Sequence, residues 1–264
     1  MSGQKITKIN NFNTENLTFT EPKVNQVGGK SVQVRTVEGE RILIQLPKTA
    51  VPYGVSRSRY GDPNATDGKP SLQVSFRGIE TNPALKTMHE KFTSFEETVK
   101  KDGLQKNSFS WVKKKKLSSE MADEMYKSNI ARSRDENGEP DGKYPDTIKF
   151  KFPTNEAGQV TTLFFDSKGA KDADGNPVQL SSDEVAQLTE HRAMKGYQVK
   201  MIVGLQSAWI GASNVGTSWV IRQVMVYRPE GISNKFAFVA DSDDDVADES
   251  EEEDEEEEEE DDSD

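Results

Sequence analysis

The carboxyl-terminal run Asp241 to Asp264 removes 24 residues from any fold this chain can adopt. It holds 19 Asp and Glu side chains, no Lys or Arg, and only Val246 and Ala247 as apolar residues. Burying it would desolvate many like charges with almost no apolar area in return, so a disordered acidic tail is expected. The sequence therefore divides into residues 1-240, expected to be one folded domain, and residues 241-264, the tail.

That division reverses the sign of the part that folds. The whole chain has 34 basic and 46 acidic side chains for a net charge of -12; without the tail, 34 basic residues face 27 acidic ones. The body is about +7, and its partner is expected to be an anion. Cysteine is absent, which excludes disulfides, thiol nucleophiles and zinc fingers. With only His89 and His191, a histidine-built metal site or a Ser-His-Asp triad has little to draw on. Neither GxxxxGK[ST] nor GxGxxG occurs, and Gly28-Gly29-Lys30 lacks the partner glycine of a phosphate loop. Asp172 and Asp174 before Gly175 fail the spacing of a calcium loop and read as a turn. No enzyme, metal or cofactor is implied. The amino terminus has no apolar h-region and no 18-residue apolar run occurs, so an intracellular soluble protein without a membrane segment is expected.

Period-two alternation dominates the body. Residues 1-30 form a polar lead-in with a short strand at Leu17 to Phe19. Val32 and Val34, then Ile42, Ile44 and Leu46, flank Glu38-Gly39 as a hairpin. Residues 47-70 contain four prolines and three glycines and read as one long loop. Leu72, Val74 and Phe76 alternate as a strand. Asn82-Pro83 then opens a helix whose apolar stripe, Leu85, Met88, Phe92, Phe95 and Val99, runs until Gly103. A short helix follows over Ser118 to Tyr126. Ile148, Phe150 and Phe152 form a strand with Lys149 and Lys151 on its other face, and Val160 to Phe165 a further one. Ser181 and Glu184 make a capping box for a helix to about Met194. Two long strands, Tyr197 to Leu205 and Thr217 to Tyr227, close the body, joined by a Gly-rich connection holding Trp209. The expected fold is mainly β: an OB-fold-like antiparallel barrel with a few short helices.

Three places mix cations with aromatic rings, the two ingredients of sequence-independent single-strand binding. Phe109 and Trp111 precede Lys113, Lys114, Lys115 and Lys116, a run that otherwise reads as a solvated surface segment. Tyr53 and Tyr60 interleave with Arg57 and Arg59 in the long loop, where amphipathic surface residues are also common. Lys149 and Lys151 share one side of a strand and add a positive face. Arg77 is counted among the DNA-binding candidates and Arg222 is a further contributor, although a lone strand arginine usually sits at a solvated edge. Trp209 lies in the connection and is counted among the DNA-binding candidates, whereas Trp219 alternates with apolar neighbours and reads as core.

The segments ILIQLPKTAVPYGV (Ile42 to Val55) and GASNVGTSWVIRQVMVY (Gly211 to Tyr227), with the basic body and acidic tail, resemble the T7-like single-stranded DNA-binding proteins, including members from nucleocytoplasmic large DNA viruses. The resemblance implies an OB-fold, sequence-independent binding of single-stranded DNA in replication, recombination and repair, and a homodimer. It also implies work at a host nucleus or cytoplasmic viral replication site. The tail, with Asp241, Asp245, Glu251, Glu255, Glu260 and Asp264 along its length, is implied to gate the DNA groove and to recruit a replicative DNA polymerase, primase or helicase. The phage members end in an aromatic residue; this tail ends Asp262-Ser263-Asp264, with Phe236 and Phe238 before the acidic run instead. The alternative is a histone or basic-protein chaperone whose working surface is the tail.

Overall fold

The computed structural model describes residues 5–24, 28–59, 62 and 64–229. Tyr60, Phe236, Phe238 and the whole acidic tail lie outside the described residues.

The apolar alternation closes on itself. Strands β1 (Leu43–Gln45) and β2 (Thr49–Ala50) both pair with β5 (Gln198–Ile210), and β2 also pairs with β3 (Ser71–Ser75). β3 pairs antiparallel with β4 (Thr147–Lys151), which meets β6 (Val215–Tyr227) in parallel at Lys151 and Val220. β6 returns antiparallel to β5 over nearly its whole length. Counting β1 and β2 as one interrupted strand, the circuit runs first, second, third, fifth, fourth, first, with its single parallel contact between third and fifth. That is the circuit of the OB barrel, as expected from the sequence.

The barrel interior is filled by the inward half of each alternation: Leu72, Val74, Ile148, Phe150, Val199, Met201, Val203, Ile221, Val224 and Val226 are all buried. Trp219 is core, as its neighbours predicted, and meets Phe92 and Phe95 edge-on at centroid distances of 5.2 Å. Those two rings belong to helix α1 (Pro83–Thr98), whose stripe packs onto the barrel through Phe92, Phe95 and Met88. Asn82 caps it, its side-chain oxygen accepting from the N–H groups of Ala84 and Leu85. Helices α2 (Ser108–Val112), α3 (Ser119–Met125) and α4 (Ser182–Leu188) are short. The capping box of Ser181 and Glu184 is formed. No helix among the described residues is long and apolar enough to cross a membrane.

Several boundaries differ from the sequence reading. Gly103 does not stop the first helix: the chain continues as a π-helical turn, Val99–Gln105, and Gly103 is needed because a Cβ there would lie 2.8 Å from the Trp111 ring and 2.9 Å from Phe19. The strands flanking Glu38-Gly39 share a turn and an Arg35–Arg41 bridge, but pair onward to β5 rather than with each other. Residues 47-70 are not one loop, since β2 and Val55–Ser56 within them join the sheet. α4 ends at Leu188, short of Met194. The closing strands are longer than expected: β5 runs through Trp209 to Ile210, which reduces the connection to 211–214. Ser207, Trp209 and the small residues around them still alternate, but too little apolar weight remained for that to register as a strand.

Candidate nucleic-acid interface

Because residues directly opposite on paired strands share a face, the register assigns every outward side chain of the barrel. On β4 the inward residues are Ile148 and Phe150, so Lys149 and Lys151 point outward, opposite Gln73 and Ser71 of β3. On the closing ribbon the inward pairs are Leu205 with Trp219, Ala208 with Thr217 and Ile210 with Val215; Ser207 with Ser218 and Trp209 with Gly216 therefore face out.

Trp209 stands at the centre of one outward row. Across the strands, Lys23 is opposite Ser31, Ser31 opposite Trp209, Trp209 opposite Gly216, and Gly216 in register with Lys127. Exposed lysines bound a row whose middle is an indole and a glycine. The ring lies on the Gly216 backbone: a Cβ there would come within 2.5 Å of Cζ2 and 2.8 Å of Cε2. A large, half-buried aromatic ring thus packs closely on the outside of a sheet where no side chain stands beneath it.

Beside this row, Lys149, Lys151, Gln73, Ser218 and Asn129 line a cleft of ≈ 180 Å³. Lys151 donates to Ser218 Oγ at 3.2 Å. Its ammonium is held below the ordinary lysine range first by desolvation against the barrel wall, then by repulsion from Lys149 and Lys69. Lys149 and Lys69, by repelling the Lys151 ammonium, mark a place where an anion relieves repulsion. The buried Glu96 beneath accepts from Ser128 Oγ at 2.6 Å and from the Asn129 N–H at 2.7 Å, and Asn129 in turn donates to Thr217 at 2.6 Å. Desolvation pushes the Glu96 carboxyl above the usual carboxylate range, against the pull of those hydrogen bonds. This network pins the segment that carries Lys127.

The other sequence candidates are placed as follows. Trp111 is 1% exposed and packs edge-on against Phe19 at 5.8 Å, so it offers no face to a base. Its neighbour Phe109 is 63% exposed, with the Lys113 ammonium 5.5 Å from its ring. Two residues apart on a helix lie on nearly opposite faces, so only one of the pair could be core. Lys113 ends α2 in a left-handed conformation, and Lys114, Lys115 and Lys116 lead from there to α3; the run belongs to the helical layer rather than to a barrel strand. Arg57 donates from Nε to the Thr189 carbonyl at 2.8 Å and ties its loop to the end of α4. Arg59 pairs with Asp67 at 3.0 Å within the same loop. Tyr53 and Arg77 are exposed. Lys23, Lys69, Lys127, Gln73 and Gly216 were missed by the sequence reading; recognising Trp209 as a strand residue would have pointed to Gly216, while no local pattern marks Lys127. Among the described residues no cluster of three or more His, Asp or Glu could hold a metal ion.

No protein-family model and no curated protein sequence matches the chain. Among solved structures it is similar to gp2.5, a single-stranded DNA-binding protein encoded by bacteriophage T7, at a TM-score of 0.39 and 11% identity, covering 75% of this chain and 98% of that one. It is also similar to the single-stranded DNA-binding protein of bacteriophage Enc34, seen in complex with single-stranded DNA, at a TM-score of 0.34 and 13% identity, covering 82% and 98%. The C-terminal truncation of the Enc34 protein aligns at a TM-score of 0.35 and 13% identity, over 83% and 99%.

Proposed function

We propose that this protein binds single-stranded DNA without sequence preference on the outer face of its barrel. The observation that carries the reading is Trp209 packed against Gly216 in one row between Lys23 and Lys127, with Lys149 and Lys151 alongside. OB barrels bind oligonucleotides on the face of their second and third strands and on the loops joining strands one to two and four to five. Here those strands are β3 and β4, which carry Gln73, Lys149 and Lys151; the connections are 51–70, which holds Tyr53, Arg57 and Arg59 around the paired Val55–Ser56, and 211–214, beside Trp209. Cations follow the phosphates, and the indole takes a base by stacking, worth about 1–3 kcal/mol. Stacking needs an unpaired base, and this is what makes the site select single strands over duplex. Phe109 with Lys113 to Lys116 is a second aromatic-cation pair of the same chemistry, on the helical layer.

The tail fits the same reading. Nineteen carboxylates tethered to a basic body compete with DNA at an effective concentration on the order of millimolar. A strand that neutralises more contacts displaces them, and the freed acidic segment is then available to a basic surface on a polymerase, primase or helicase. The setting we infer is replication, recombination and repair of a viral genome, and the homodimer belongs to the same inference. The rival, a histone or basic-protein chaperone, uses the tail alone and leaves the Trp209 platform without a role.

Titrating the full chain with oligo-dT and with duplex of equal length, while following tryptophan fluorescence, tests the reading. Trp111 and Trp219 are buried, so quenching reports on Trp209. Quenching by oligo-dT that duplex does not reproduce is expected. Absence of oligo-dT binding, with tail-dependent capture of histones instead, would establish the rival.

A further inference from the structure

The β5–β6 ribbon contains two bulges. Between Leu205–Trp219 and Ser207–Ser218 the extra residue is Gln206; between Val203–Ile221 and Ile202–Gln223 it is Arg222. A bulge re-aims the side chain it frees from the pleat. Both freed side chains line one cleft of ≈ 180 Å³, whose far wall is the segment bearing Gln33, Arg35 and Arg41. Arg35 and Arg41 stand directly opposite each other in an antiparallel bridge. Like charges so placed destabilise a sheet. Arg35 donates to Gln33 Oε1 at 2.5 Å, and none of the three arginines makes an ion pair with a described acidic residue. Three guanidinium groups and two carboxamides therefore converge on a cleft with no counter-charge among the described residues. The Arg222 side chain also lies across Gly204, its Nε 3.3 Å from where a Cβ would stand, so close packing against bare backbone directs it.

We infer that this arginine cleft is a phosphodiester-binding site that continues the DNA path beyond Trp209. The inference rests on the proposed single-strand binding. The cleft opens on the same outer face: Ser207 with Ser218, then Gly204 with Val220, lead from Trp209 to Arg222 along one ribbon. From Trp209 to Leu205 is about 13 Å at the usual strand rise, the span of about four nucleotides at the ~3.4 Å spacing of one duplex strand, or fewer in an extended strand. The planar guanidinium fork suits phosphate oxygens better than a lysine does. A strand stacked at Trp209 thus meets the cleft with its backbone. The lysines of β4 border the same ribbon on the side of the parallel β4–β6 contact.

The test compares the full chain, Arg41→Gln/Arg222→Gln and Lys149→Gln/Lys151→Gln for binding of a 20-residue oligo-dT across ionic strength. Each lost phosphate contact lowers the slope of log affinity against log salt by roughly 0.7, so the arginine pair should lower it by about 1.4. Between 50 and 200 mM salt the wild type would then lose about 7-fold more affinity than that variant. Arg41→Lys/Arg222→Lys should keep most of the slope and lose affinity, because the charge stays and the fork is gone. Both arginines are exposed, and an unchanged thermal melt separates loss of contact from loss of fold. An unaltered slope in the arginine variant, with the lysine variant reduced, overturns the cleft and leaves the proposed function standing. A wild type that does not bind oligo-dT overturns both.

Discussion

Gly216→Ala is the smallest change that separates a stacking platform from a merely basic surface. The glycine is not needed for its backbone, since it does not adopt the left-handed conformation that side chains avoid. By unfolded-state entropy alone, alanine there would stabilise by about 0.4–1 kcal/mol. The new methyl would meet Cζ2 of Trp209 at 2.5 Å, Cε2 at 2.8 Å and the Lys127 carbonyl oxygen at 3.1 Å, where ordinary contact begins near 3.4 Å. The ring must therefore rise by roughly an ångström or swing away, while the backbone at Lys127 resists. Overpacking of this kind costs about 1–3 kcal/mol when the surroundings cannot yield. Trp209 is only half-buried and can yield, so most of the cost should appear as lost stacking. One stacked base is worth about 1–3 kcal/mol, which is roughly 5- to 150-fold in affinity for oligo-dT. Fluorescence anisotropy with a labelled oligonucleotide measures it, and Trp209→Ala supplies the second arm of a double-mutant cycle. If the platform is real, Gly216→Ala has little further effect once Trp209 is gone. A folded Gly216→Ala protein with wild-type affinity would refute this, because it would show that the indole packed on Gly216 contributes nothing to binding.

Other outcomes follow from the same contacts. Lys149→Gln/Lys151→Gln should lower the salt slope for oligo-dT by about 1.4, read from titrations at four ionic strengths. Lys151, held below the ordinary lysine range, should lose its proton first; oligo-dT affinity should therefore start to fall, as pH rises, earlier than in Lys151→Arg. Glu96 is held above its unfolded value, so the native state binds more protons. Wild-type stability should fall as pH rises through the window from about 4.3 up to that raised value, while Glu96→Gln shows no such slope in urea denaturation. Asn82→Ala removes the acceptor for two helix-start N–H groups and should cost about 0.5–2 kcal/mol with no change in DNA salt slope. Truncation after Ala240 should tighten oligo-dT binding at low salt; unchanged affinity there would remove the tail from the mechanism.

Residue order alone determined the fold class, the inward half of the strongly alternating strands and the first helix with its cap, because these depend on periodicities of two and 3.6 that adjacent residues carry. Ile148, Phe150 and Phe152 against Lys149 and Lys151 needed no tertiary information, nor did the stripe from Leu85 to Val99. The opposition of a basic body to an acidic tail is likewise a matter of counting. Which aromatic faces solvent was decided only in three dimensions. Trp111 precedes four lysines yet is sealed by Gly103 and by Phe19 from far along the chain, while Trp209, among small and apolar neighbours, rests on Gly216 across the paired ribbon. The same holds for Lys23 and Lys127, brought into one row by strand register, and for Arg222, whose direction comes from a bulge that exists only because β5 and β6 pair with unequal residue counts. Local alternation states which side of a strand a residue occupies; what stands opposite it is a property of the closed barrel.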